Sequence, residues 1–109
     1  MNKELRIKNK LEFEELIKTG KKISNKFFVI YYKERKNDNS RFGISLSKKF
    51  GIAVIRNKYK RILREIIRNN QKKFKSSYDY IIIMKKTSEG LSYNLIEQNL
   101  LSLVNQEEL

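Results

Sequence analysis

The chain of 109 residues has no cysteine, no histidine and no proline, and only four glycines. Without cysteine there is no disulfide and no thiol nucleophile. Without histidine the usual general base near neutral pH and the commonest metal ligand are missing. Neither a Ser-His nor a Cys-His pair can therefore be built. Missing proline and scarce glycine leave no stretch that reads as an interdomain linker. Long apolar runs are absent too: FFVIYY (27–32) and YIIIM (80–84) are far too short to cross a bilayer. The opening MNKELRIKNK is charged and lacks the apolar segment of a signal peptide. The expectation is one soluble domain spanning residues 1–109, with no membrane partner, in a reducing, cytoplasmic setting. A chain of this length buries roughly two thirds of its unfolded surface, enough for one modest core.

What the chain has in excess is positive charge. The net charge is +13, and its distribution says more than its size. Residues 41–75 carry twelve Lys/Arg against Glu65 alone, a net +11, while the rest of the chain nets only +2. A lysine-rich surface that merely aids solubility would not gather in one third of the chain, nor place five arginines there. So lopsided a field calls for a polyanion, and nucleic acid is the natural one.

The pattern of elements is mixed. Asn9 followed by Glu12 resembles a capping box, with Asn9 as N-cap and Glu12 reaching back. A helix over about 10–18 follows, stopped by Gly20. Residues 22–34 read as extended, with room for a short extra strand near 22–25, because FFVIYY is β-branched and aromatic. Lys36 to Ser40 is a turn rich in Asx residues. Arg41 to Ser47 alternates, with Phe42, Ile44 and Leu46 on one face and Gly43, Ser45 and Ser47 on the other. A long helix over about 52–70 comes next, then a strand from Tyr78 to Met84 buried on both faces. Ser92 caps a last helix to about 104. Such an order, α-β-β-α-β-α or α-β-β-β-α-β-α with the extra strand, predicts an α+β two-layer sandwich.

The long helix sorts its residues by side. At about 100° per residue, Ile55, Tyr59, Ile62, Leu63, Ile66 and Ile67 share one apolar stripe. Arg56, Lys60, Arg61, Arg64 and Arg68 share a second stripe with Asn57, centred nearly opposite the first. Solvent-facing helices usually mix charge signs, and this one barely does. The cations are candidates for phosphate contacts, since the planar arginine fork suits phosphate oxygens.

Catalytic chemistry is poorly provided for. The carboxylates are scattered, with no D-x-D or other spacing that would hold a metal ion for nuclease work. Gly43 and Gly51 are isolated, so there is no Walker or Rossmann phosphate loop. The chain reads as a binder with no catalytic residue of its own. Phe13 and Tyr31 are the aromatics best suited to stacking on unpaired bases, although an aromatic in a helix or strand more often serves the core.

One stretch resembles a known family. Ser47-Lys-Lys-Phe-Gly-x-Ala-Val-x-Arg-Asn-Lys-x-Lys-Arg-x-x-Arg-Glu65 is similar to the signature of the bacterial ribonuclease P protein subunit. The preceding Arg41-Phe-Gly-Ile-Ser45, the later Tyr80-Ile-Ile-Ile-Met-Lys-Lys86 and the N-terminal Leu11-x-Phe13, Gly20-Lys-x-Ile-x-Asn25 and Phe28-Val-Ile-Tyr31 match as well. The resemblance implies a ribosomal protein S5 domain 2-like sandwich with a left-handed βαβ crossover through the basic helix. It implies partnership with a catalytic RNA that removes the 5′ leader of precursor tRNA, and Mg²⁺ bound mainly by that RNA. On this pattern Lys48, Lys49, Arg56, Asn57, Lys58, Lys60, Arg61 and Arg64 would dock on the catalytic RNA, and Arg68 extends the same stripe. Phe13, Ile17, Tyr31 and Ser45, with Asn57 at the edge, would line a cleft for the single-stranded leader. Two positions depart from the family: Ile17 replaces a frequent second aromatic, and Lys58 replaces a frequent second arginine. A ribosomal or ribosome-assembly RNA-binding protein of similar fold is the competing expectation, and a protein-only nuclease a remote third. No protein partner is expected.

Overall fold

The computed structural model describes residues 6, 7, 9–36, 39–47 and 49–106. The first helix, α1 (Lys10–Thr19), starts where the Asn9 side-chain oxygen accepts the backbone N–H groups of Leu11 (2.8 Å) and Glu12 (3.4 Å). These are donors that a helix start otherwise leaves unpaired. Glu12 does not complete the expected box, because its carboxylate is engaged by Arg41 instead. At the other end the Gly20 N–H returns to the Leu16 carbonyl at 2.8 Å. A Cβ on Gly20 would sit 2.6 Å from that same oxygen, so the close turn requires glycine.

Two short strands follow, β1 (Lys21–Ser24) and β2 (Phe28–Glu34), joined through Asn25. The Asn25 side-chain oxygen accepts from the N–H groups of Phe27 (2.9 Å) and Phe28 (2.8 Å), an Asx-type turn. Its amide donates to the Asn99 carbonyl at 3.1 Å, and its own carbonyl accepts from Lys85 Nζ at 2.7 Å. One turn residue thus ties the hairpin to both later segments of the chain.

Next come β3 (Arg41–Leu46), α2 (Ala53–Asn69), β4 (Tyr78–Met84) and α3 (Tyr93–Gln106), the last capped by Ser92 Oγ on the Leu95 N–H at 3.3 Å. The order is the expected α-β-β-β-α-β-α, and the sheet is mixed, in the spatial order β1-β2-β4-β3. β4 runs antiparallel to β2 and parallel to β3, so α2 carries the chain across between parallel neighbours.

Alternate residues of these strands face two unequal cores. On one side Phe28, Ile30, Phe42, Leu46, Tyr80, Ile82 and Met84 pack with Tyr59, Leu63, Ile66 and Ile67 of α2 and Ile96, Leu100, Leu103 and Val104 of α3. Sheet and α2/α3 are the two layers of the sandwich. Ten of the twelve aromatics are drawn into this side, including the stacked Phe42–Tyr80 pair and the edge-on Phe50–Tyr59 pair. Burial pushes the Tyr80 phenol up to about 12, and the phenol donates to the Lys75 carbonyl at 3.1 Å. On the sheet's other side lies a small cluster of Ile7, Leu16 and Ile81, edged by Phe13, Tyr31 and Ile83. There α1 crosses the sheet and covers only part of it.

The turn at Asn25 offers a direct check. Asn25→Ala removes two backbone caps and the amide bond to α3, and is expected to lower unfolding free energy by about 2 kcal/mol in urea titration. Asn25→Asp keeps the cap acceptor but loses the donor to Asn99, and should lose less.

Candidate RNA interface

The electrostatics of α2 follow from which face is buried. Tyr59, Leu63, Ile66 and Ile67 are buried, whereas Ile55 and Ile62 are only half-buried. The apolar stripe expected from the sequence is therefore real but centred further round, toward Leu63. Asn57, Lys58, Arg61 and Arg68 are exposed, and Arg56, Lys60 and Arg64 are half-buried. The first turn holds no acid, and Ile52 offers no side-chain cap. The positive end of the helix dipole is thus left uncompensated and reinforced by cations.

Among the described residues no carboxylate forms an ion pair with that charge. Among the described residues the ion pairs are Arg41 with Glu12 and Asp79, Arg35 with Asp79, and Lys86 with Glu89. None involves α2. Lys58 Nζ lies 5.9 Å from the ring centre of Tyr59. Lys49 is exposed in the turn before α2, with its N–H donating to Ser47 Oγ at 3.3 Å. Lys48 lies outside the described residues.

The second surface is the sheet face beneath α1. Strand register arranges it in rows. Lys33, Asp79 and Arg41 form one row, Lys22, Tyr31, Ile81 and Gly43 the next, and Ser24, Val29, Ile83 and Ser45 the third. The helix lies along the first row. Glu12, near its start, meets Arg41 of β3 at 2.7 Å, and Thr19, at its end, accepts from Lys33 Nζ of β2 at 3.2 Å. Phe13 sits over the second row: a Cβ on Gly43 would stand 2.7 Å from the Phe13 ring, so glycine here makes room for the aromatic. Ile17 is exposed one turn further along α1. In the third row Val29, Ile83 and Ser45 are half-buried, and Ile83 borders the small cluster under α1.

Five cleft residues were expected. Phe13 and Tyr31 share the small cluster under α1, and they are the two aromatics on that side of the sheet. Ser45 lies one row away on β3, and Ile17 extends the helical wall. Asn57 stands apart from them, exposed on α2, which packs against the opposite face.

One structural residue went unnoticed in the sequence. Arg41 holds α1 to the sheet: its Nε and Nη2 each donate to an Asp79 oxygen at 3.0 Å, a bidentate pair, while Nη2 also meets Glu12. These hydrogen bonds raise the Arg41 pKa above its already high ordinary value. Glu12 and Asp79 are consequently occupied by a guanidinium, with Lys33 lining the same pocket. A divalent cation does not fit there, and no group of three potential metal ligands exists among the described residues.

A basic helix face with no ion pair among the described residues and a partly roofed, aromatic-bearing sheet face are what an RNA-binding α+β domain would present. The Ribonuclease P family model matches residues 1–108, and the chain belongs to that family. The ribonuclease P protein component of Streptococcus agalactiae is 39% identical over 104 residues, covering 95% of this chain and 94% of that relative. That of Syntrophomonas wolfei is 34% identical over 109 residues, covering 100% and 92%. Among solved structures, the RNase P protein of Thermotoga maritima superposes with a TM-score of 0.86 at 32% identity, covering 93% of this chain and 96% of that one. The Staphylococcus aureus RNase P protein gives 0.87 at 33% identity, covering 94% of each. The chain is a component of the ribonucleoprotein endonuclease that processes precursor tRNA. The competing ribosomal reading finds no support in these matches.

Replacing the latch should be felt in stability. Arg41→Met leaves Asp79 half-buried beside only the longer 3.7 Å contact to Arg35. A loss of about 2 kcal/mol is expected in chemical denaturation. The Asp79→Asn and Arg41→Met effects should be far from additive, because both remove one interaction.

Proposed function

We propose that the exposed stripe of α2 docks this protein on the ribonuclease P RNA, while the sheet face beside α1 holds the single-stranded 5′ leader of precursor tRNA. The observation that carries the first half is the unpaired charge of α2. Six Lys/Arg of this helix have no carboxylate partner among the described residues, so a phosphate backbone would supply the missing counter-charge. Arg56, Lys60 and Arg64 recur every fourth residue and, with Lys58, Arg61, Arg68 and Lys49, would engage successive phosphates. Lys48 belongs to the same set by sequence.

The second half rests on Phe13 and Tyr31. Aromatic rings at the edge of a partly buried surface can stack on unpaired bases without regard to sequence. Ser45 and Ile17 complete the groove, and Asn57 contributes from the α2 side. Mg²⁺ serves the holoenzyme and is held mainly by the RNA. The protein's role is to bind and position, as one domain over residues 1–109, in the cytoplasm where precursor tRNA is made.

Protein alone should not cleave precursor tRNA, whereas protein with its RNA should do so at lower Mg²⁺ than the RNA alone. A protein that leaves the Mg²⁺ requirement unchanged would refute the reading. Arg64→Ala is expected to weaken RNA binding and to reduce the slope of log K against log salt by about one contact's worth, roughly 0.9. Tyr31→Ala should instead cut the preference for leader-bearing over mature tRNA by roughly tenfold, the value of one lost base stack. Equal losses on both substrates would argue against the cleft.

A further inference from the structure

The row that carries Tyr31 ends on a cation. Lys22 of β1 is the cross-strand partner of Tyr31, which pairs in turn with Ile81 beside Gly43. Side chains of directly opposed residues share a face. Lys22 therefore lies on the α1 side of the sheet, and its Nζ is 5.9 Å from the Tyr31 ring centre. It is exposed and makes no ion pair among the described residues. Its neighbour Lys21 pairs with Tyr32, whose ring belongs to the opposite, α2/α3 side. Two adjacent lysines thus carry the same charge to opposite faces of one edge strand.

Direction adds the rest. The helix runs from Arg41 on β3 to Lys33 on β2, so the groove beside it crosses the strands from Ser45 toward β1. Four strands span three gaps, about 14 Å, room for a few nucleotides. The β3 end continues through residues 47–52 into α2, the side assigned to the catalytic RNA. The β1 end is the free edge of the sheet.

We infer that Lys22 is a further leader-binding residue, which contacts a backbone phosphate where the leader leaves the groove across the β1 edge, distal to the cleavage site. The inference rests on the leader-cleft reading above. A base stacked on Tyr31 places its flanking phosphate next to this ammonium, and the ammonium exchanges a weak ring contact for a phosphate. A lysine on an edge strand also discourages strand pairing between molecules. That role would be indifferent to leader length.

The test compares precursor tRNAs whose leaders are shorter than the groove or several nucleotides longer, bound to the assembled holoenzyme. Lys22→Ala should weaken binding of the long-leader substrate by roughly two- to fivefold and lower its salt slope by about 0.7, without affecting the short-leader substrate. Lys22→Arg should restore binding, and Lys21→Ala should leave both substrates unchanged. Equal effects on short and long leaders, no effect at all, or an equal effect of Lys21→Ala would overturn the inference. Tyr31→Ala in the same assay separates the two proposals. If it impairs leader binding while Lys22→Ala does not, the cleft stands and the role of Lys22 falls. If neither discriminates by leader, the cleft reading itself fails.

Discussion

Strand β4 is the constraint on which the rest of the molecule depends. It pairs on both sides, antiparallel to β2 and parallel to β3, so its side chains have only the two faces of the sheet to enter. Tyr80, Ile82 and Met84 go to the α2/α3 core, while Ile81 and Ile83 go to the side of α1, with Asp79 beside them in register. A one-residue slip would exchange the two sets and put Asp79 into the larger core. Both candidate surfaces inherit their position from this division. The large core fixes which face of α2 is buried, hence which face offers its cations. The small core fixes how α1 lies over the sheet, hence where the groove is.

The two sides of the sheet differ in kind. One is closed by two helices and takes nearly all the aromatic bulk, as a stable core requires. The other is roofed by one helix anchored through ionic contacts at Arg41 and one hydroxyl contact at Thr19. Of its remaining rows, the third carries the exposed Ser24 and the half-buried Val29, Ile83 and Ser45. A surface left partly uncovered beside two aromatics can accept a flexible strand without rearrangement of the core. The basic helix face carries a single acid, Glu65, and none of its cations forms an ion pair among the described residues, so little stability is drawn from it.

Much of this was readable from the chain. Period-two alternation in Arg41 to Ser47, the unbroken apolar run of β4 and the split stripes of α2 each follow from local geometry, and each element formed where the pattern placed it. The motif from Ser47 to Glu65 was long enough to point to the family. Misreadings arose where a residue had a distant partner. Glu12 looked like half of a capping box because Asn9 stands three residues before it, yet Arg41, held by Asp79, engages the Glu12 carboxylate through Nη2 with a charged donor. The apolar stripe of α2 was centred by counting every isoleucine equally, whereas the sheet beneath admits Leu63 and Ile67 more fully than Ile55 and Ile62.

By itself, then, the sequence determined the element order, the face-by-face polarity of each element, the excess charge of α2 and the family. Those are properties of residues near one another in the chain, where spacing and side-chain chemistry act directly. Only the tertiary structure decided which strands are neighbours. From that came the Arg41–Asp79 latch across 38 residues, the passage of Phe13 over Gly43, and the placing of Lys22 and Lys21 on opposite faces of the edge strand. Each depends on the register and order of the sheet, which no local pattern in the chain encodes.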